Sequence, residues 1–248
     1  MRTSVCMSVV AAASAAFFGQ SAPAPSAFEA ASVKRNPAGY GSSTRWKDSP
    51  GRLHCTDVPL KWVIRRAYQV QDSQISGPAW LDTDGYDIDA TFPADTGGQP
   101  KMLQALLAER FKLAVHRETK DRPVYLLVVD KGGAKLHAVQ EIAGGLQMKM
   151  DGPVRHLRSK TTVAKLAVFL SDQLRLTVVD QTGLKATYDI ALDFTLDESA
   201  PQNGSELREA VLPIRAAVQT QLGLQLELKK QPLEILVIDH VEKVPVEN

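Results

Sequence analysis

A pattern of residues running from Leu53 to Asp130 returns in the same order further along the chain, and no other feature restricts the fold as strongly. The first copy runs Leu53-His54-Cys55-Thr56-Asp57-Val58-Pro59-Leu60 into a helical pattern and reaches Tyr86-Asp87-Ile88. It continues from Leu103 through Phe111-Lys112-Leu113 to Tyr125-Leu126-Leu127-Val128-Val129-Asp130. In the second copy, Val163 opens a helical pattern that reaches Tyr188-Asp189-Ile190. Ile214 opens another, passes Leu222-Gly223-Leu224 and ends at Ile235-Leu236-Val237-Ile238-Asp239. Recurrence of this kind reads as internal duplication.

Four apolar stripes anchor the reading. Leu60, Val63, Ile64 and Ala67 fall at i, i+3, i+4 and i+7, which is one face of a helix. Leu103, Leu106, Leu107 and Phe111 form the next stripe, and Val163, Leu166, Ala167 and Leu170 repeat the first. Ile214, Ala217, Val218 and Leu222 repeat the second. Asp57 and Thr161 are the expected N-caps, and Pro59 suits a first helical turn. Strands are expected at Phe28–Val33, around Tyr86, Ile88 and Ala90, at Leu176–Val179 and at Tyr188–Phe194. Two hairpins are expected as well, turning at Thr119–Pro123 and at Lys230-Gln231-Pro232. The Gly/Ser/Pro-rich stretch from Gly39 to Gly51 reads as a loop, and the tail after Lys243 as frayed.

Each half then reads strand, helix, strand, helix, strand, strand. The fold class is α+β, internally duplicated, with helices packed on mixed, largely antiparallel sheets. The expected segments are a signal peptide (1–24), a tether with first strand and loop (25–51), a first half (52–133), a junction (134–153), a second half (154–243) and a tail (244–248).

The first segment rests on Arg2 followed by the apolar run Val9–Phe18, too short to span a bilayer, and on the small-x-small form of Ala22-Pro23-Ala24. It predicts an exported product: a periplasmic or secreted protein with no membrane span in the mature chain. Removing it takes away Cys6 and leaves Cys55 alone, so no internal disulfide is expected. Alternation puts Cys55 on the face of Leu53, where it acts as a small buried hydrophobe. A formal net charge of +1 gives no nucleic-acid footprint.

Reactive motifs are absent from the pattern. There is no G-x-S-x-G, H-E-x-x-H, C-x-x-C or phosphate loop. Asp82, Asp84, Asp87 and Asp89 lack the spacing of a calcium loop. No cofactor, metal site or catalytic set is therefore assigned. Trp46, Trp80 and Tyr86 fall in or beside loops and could line a groove for a glycan or peptide. His116 and Glu118 share one face of a strand, where a carboxylate can orient an imidazole. His54 and His156 occupy matching places before the first helix of each half. They could face each other across a pseudo-twofold axis and hold a metal with Asp57.

Several blocks carry a family resemblance. Phe28-Glu29-Ala30-Ala31-Ser32-Val33-Lys34, Gly51-Arg52-Leu53, Gln74-Ile75-Ser76-Gly77-Pro78-Ala79-Trp80-Leu81, Leu106-Leu107-Ala108-Glu109-Arg110-Phe111-Lys112-Leu113, His116-Arg117-Glu118-Thr119 and Val179-Asp180-Gln181-Thr182-Gly183-Leu184 are among them. Together they resemble a large family of secreted proteins expanded in soil bacteria, Acidobacteria included, whose domain is of unknown function. Some relatives carry it beside a BlaR-type membrane metallopeptidase module, which implies extracytoplasmic sensing or binding. The helix-then-strand units are also similar in pattern to the short N-terminal domains of secretins and TonB-dependent receptors. The expectation is a secreted or periplasmic non-catalytic binding module with an unknown extracytoplasmic ligand or protein partner. The alternative is an extracytoplasmic hydrolase with a site near His116 and Glu118 or near His54 and Asp57.

Overall fold

Apolar residues alternate along the strands and recur every three or four residues along the helices, and each set finds a core. The computed structural model describes residues 27–36, 41, 44–94, 99–140, 145–195 and 212–246. The expected signal segment (1–24) lies outside these residues. The first half runs β1 (Ala30–Asn36), β2 (Arg45–Ser49), β3 (Arg52–Pro59), α1 (Leu60–Tyr68), β4 (Ile75–Ser76), β5 (Gly85–Thr91), α2 (Gln99–Phe111) and β6 (Ala114–Val129). The second runs β7 (His137–Val139), β8 (Gln147–Asp151), β9 (Val154–Thr162), α3 (Val163–Leu174), β10 (Val178–Asp180), β11 (Thr187–Thr195), α4 (Leu212–Leu222) and β12 (Leu224–His240). Strands and helices follow the same order in both. The fold is α+β, and no helix among the described residues is long and apolar enough to cross a membrane.

Three four-stranded sheets organise these elements. One has the order β1-β5-β3-β2 and another β7-β11-β9-β8, and every pairing in both is antiparallel. The third, β10-β6-β12-β4, joins the halves. Its centre is the antiparallel pair β6–β12, while β10 runs parallel to β6 and β4 parallel to β12. Each half thus lends its short strand to the other half's last strand. Two cores result. Leu53, Leu60, Ile64, Tyr86, Leu103 and Phe111 build one, and Leu236 of β12 completes it. Leu157, Val163, Leu170, Ile190 and Leu222 build the other, which Tyr125 and Leu127 of β6 complete. All four apolar stripes are buried in them, each large aliphatic side chain contributing roughly 1.5–3 kcal/mol.

The two expected hairpins do not form. β6 and β12 are single strands that pair along their length, through Pro123 opposite Lys230 and Pro232 opposite Asp121. Tyr125 donates its N–H to Thr177 and Leu127 accepts from Gln181, so odd residues of β6 aim their backbone groups away from β12. Pro123 therefore lacks an N–H on a side where no strand lies against it, because β10 reaches only Tyr125 to Leu127. Pro232 is placed alike: Glu234 directs its carbonyl to Gln74 beside β4, and β4 pairs only with Leu236 and Val237. Neither proline removes a ladder bond, so neither ends its strand.

Smaller corrections have local causes. Asp57 is not a cap. It sits at a register shift of β3 with φ 52°, its carboxylate accepts from the Gly41 N–H at 3.0 Å, and α1 begins after Pro59 without a side-chain cap. Thr162, rather than Thr161, caps α3 by accepting from the Lys165 N–H at 3.3 Å. Trp46 lies on β2 rather than in a loop, because the Pro50-Gly51 turn folds β2 back on β3, with Gly51 at φ 75°. The tail is docked as far as Val246. Glu242 and Val246 donate to the carbonyls of Phe111 and Arg110 at 2.7 and 2.8 Å.

Candidate functional site

The apolar stripe of α1 faces inward, so the residues between its members face out. Trp62, Arg65 and Arg66 stand there at i, i+3 and i+4, on one strip of the helix surface. β2 brings Trp46 alongside. The Arg66 guanidinium lies over the Trp46 ring, 5.1 Å from its centroid, and also bonds Asp48 and Gln99. The Trp46 indole N–H donates to Asp48 at 3.1 Å, so the ring is fixed from both sides. Arg65 reaches Asp172 of α3 at 3.0 Å and Asp72 at 3.2 Å. Together Trp46, Trp62, Arg65, Arg66 and Val70 line a cleft of about 350 Å³. Trp62 remains 36% exposed on this face of the helix.

Such a cleft can stack a ring against indole and hydrogen-bond an acceptor with guanidinium edges. Among the described residues its lining contains no nucleophile and no general base. Apolar periodicity does not single out Trp62, because it lies opposite the buried stripe of α1. The signal was a tryptophan placed opposite that face, three and four residues before two arginines.

The five residues singled out from sequence do not converge. Trp46 lines the cleft. Tyr86 is fully buried, its ring edge-on to Phe111 with centroids 5.1 Å apart, and its hydroxyl donates to the Lys243 carbonyl at 2.7 Å. Burial pushes that hydroxyl up to about 12. Trp80 carries the Lys243 ammonium at 5.8 Å over its ring. Both residues hold the C-terminal segment. Asp84 joins them, bonding Lys243 and Arg35. Burial alone would raise its pKa, but these two hydrogen bonds outweigh it and hold the carboxyl below its ordinary range. His116 pairs with Asp239 at 2.8 Å rather than with Glu118, which pairs with Lys120.

The two histidines that could have faced each other over a metal do not do so. His54 bonds Asp89 across β3 and β5 at 2.7 Å, and His156 bonds Asp193 across β9 and β11 at 2.8 Å. Each imidazole is held within its own sheet, and Asp57 is turned to Gly41 instead. Among the described residues no group of three His, Cys, Asp or Glu side chains is arranged to hold a metal ion. Cys55 is fully buried, and burial, with Asp48 nearby, pushes its thiol up to about 12, so it is an inert core residue.

One of these surface pairs carries a pH signature. Hydrogen bonds from Arg158, at 2.7 and 3.0 Å, and from His156 hold Asp193 down at about 2. A carboxylate whose folded pKa is depressed stabilises the fold above its unfolded pKa, about 4. That contribution is lost as pH falls through the folded value. Asp193→Asn is therefore expected to be less stable than the parent at pH 7, by under about 1 kcal/mol given its exposure. The two should converge as pH approaches 2, which urea midpoints at both pH values will read. A gap that stays constant over that range contradicts the assignment.

A family model described as a protein of unknown function, DUF3738, matches residues 61–241. No curated protein and no solved structure matches the chain.

Proposed function

The chain belongs to the DUF3738 family, whose function is unknown, and from that premise we propose an extracytoplasmic, non-catalytic binding module that takes its ligand in the cleft between Trp46 and Trp62. The observation that carries this reading is the part-exposed indole of Trp62 lining one cleft with the fixed pair of Trp46 and Arg66. Rigid aromatic surface next to guanidinium groups suits a glycan, whose pyranose faces stack on indole while its hydroxyls and acidic groups meet arginine. Of the residues singled out from sequence, Trp46 alone joins this site. The apolar N-terminal run supports export. The matching element order and strand pairings of the two halves support a duplicated ancestry.

The test is a titration of tryptophan fluorescence with chitohexaose and with soluble peptidoglycan fragments, followed by chromatography of the glycans. The expected result is saturable binding that weakens roughly tenfold in Trp62→Ala, about 1.4 kcal/mol, with the glycans recovered intact. Shortened glycans would establish a hydrolase instead. Binding unchanged in Trp62→Ala would remove the cleft from consideration, and failure of both probes to bind would remove glycans.

A further inference from the structure

The exchange of short strands creates a second concave surface, at the seam between the halves. The residues after α3 meet the 3-10 turn Asp72–Gln74 there, and the Ser73 and Thr177 hydroxyls lie 2.7 Å apart. Beside them a cavity of about 310 Å³ opens, with Leu233 and Ile235 of β12 in its wall. Among the described residues its polar lining comprises Ser73, Ser76, Thr177, Arg122 and Arg175, and includes no carboxylate. Both halves supply it, so the site exists only because the exchange brings them together.

The two arginines differ from six others in this molecule. Arg35, Arg52, Arg65, Arg66, Arg117 and Arg158 each face an aspartate or glutamate. Among the described residues, neither Arg122 nor Arg175 has an acidic or hydrogen-bonding partner. Acids do approach from the adjoining cavity of about 230 Å³, which shares Ser73 and Arg175. They are already paired, though not fully neutralised: Lys61 holds Asp82 at 2.9 Å, and Arg65 alone holds both Asp72 and Asp172 at 3.2 and 3.0 Å, which leaves one negative charge against the two guanidiniums. The charge left over in the seam is positive.

We propose that this seam is an oxyanion-binding site, using the Arg122 and Arg175 guanidiniums as the charged donors and, as neutral ones, the Ser76 hydroxyl and the one hydroxyl of the Ser73–Thr177 pair whose proton is not spent on the other. Guanidinium groups bond carboxylate and phosphate oxygens in pairs, and hydroxyls fill the remaining acceptor directions. The apolar wall then accommodates the body of a small organic acid or phosphate ester. The site is independent of the tryptophan cleft.

Calorimetry on the full chain distinguishes the ligand sources, with inorganic phosphate and citrate each titrated against sodium chloride of equal ionic strength. The expected result is a saturable heat above the chloride control for at least one anion. It should weaken at least tenfold in Arg122→Gln and in Arg175→Gly, and stay unchanged in Arg45→Gln and Trp62→Ala. Arg175 has φ 52°, a conformation glycine adopts freely, so Arg175→Gly removes the guanidinium while keeping or raising Tm. Heat with phosphate alone assigns a phosphate-bearing ligand, and heat with citrate alone a carboxylate. No saturable heat with either anion, or an equal heat in Arg175→Gly, overturns the site. Loss of glycan binding in Trp62→Ala with anion binding retained separates this site from the cleft.

Discussion

Gly223→Ala is expected to lower stability by about 2–5 kcal/mol, the sum of left-handed backbone strain and overpacking against a fixed neighbour. Gly223 joins α4 to β12 with φ 64°, where any Cβ is strained. An added Cβ would also collide with the Gly133 carbonyl oxygen and come within 2.9 Å of the Lys135 nitrogen. These are backbone atoms, and they cannot retreat cheaply. The Lys135 N–H donates to the Leu222 carbonyl at 2.8 Å, and the Asp130 N–H to the Gly223 carbonyl at 3.0 Å. The segment leaving β6 is thus bonded directly onto the entry to β12, which holds the second core closed. Gly133→Ala serves as the control. It shares the positive φ, 83°, but nothing lies within 4 Å of its added Cβ, so only the strain of about 1–2 kcal/mol applies. Urea midpoints compare the two, and equal losses would mean that the approach of the two backbones carries no energy.

Phe111→Ala should cost about 3–5 kcal/mol. Its side chain is fully buried in the first core and stacked edge-on against Tyr86. Its effect reaches beyond the cavity it leaves, because its carbonyl accepts the Glu242 N–H and the Tyr86 hydroxyl donates to Lys243. The C-terminal segment should therefore loosen, and limited proteolysis should cut after Lys243 faster than in the parent. Tyr86→Phe removes only the hydroxyl. It should cost about 1 kcal/mol while also exposing the Lys243 site. A Phe111→Ala protein with parental stability and an uncut tail would show that the segment is held elsewhere.

Some of this was legible before any coordinate. The stripes Leu60–Ala67, Leu103–Phe111, Val163–Leu170 and Ile214–Leu222 are local patterns, and each is buried as read. A helix declares its inner face within its own residues, since periodicity needs no partner. The alternation that buried Leu53, Cys55, Tyr86 and Ile88 is legible for the same reason. What failed depended on neighbours. Pro123 and Pro232 carry the usual mark of a turn, yet a proline interrupts a strand only if its missing N–H faces another strand. Asp57 has the chemistry of a cap and serves a register shift instead, because the Gly41 N–H reached it first in space. Trp46 and Trp62 lie on separate elements, and nothing in their spacing announces that β2 folds back beside α1.

Sequence by itself settled the α+β class, the four helix faces and the inert setting of Cys55, because these follow from periodicity within short segments. Tertiary structure alone decided that β4 pairs with β12 and β10 with β6, that β6 and β12 run unbroken, and that two clefts open where elements meet. Strand pairing is a contest between distant segments for backbone hydrogen bonds, and the chain records its own polarity pattern but not which competitor arrives.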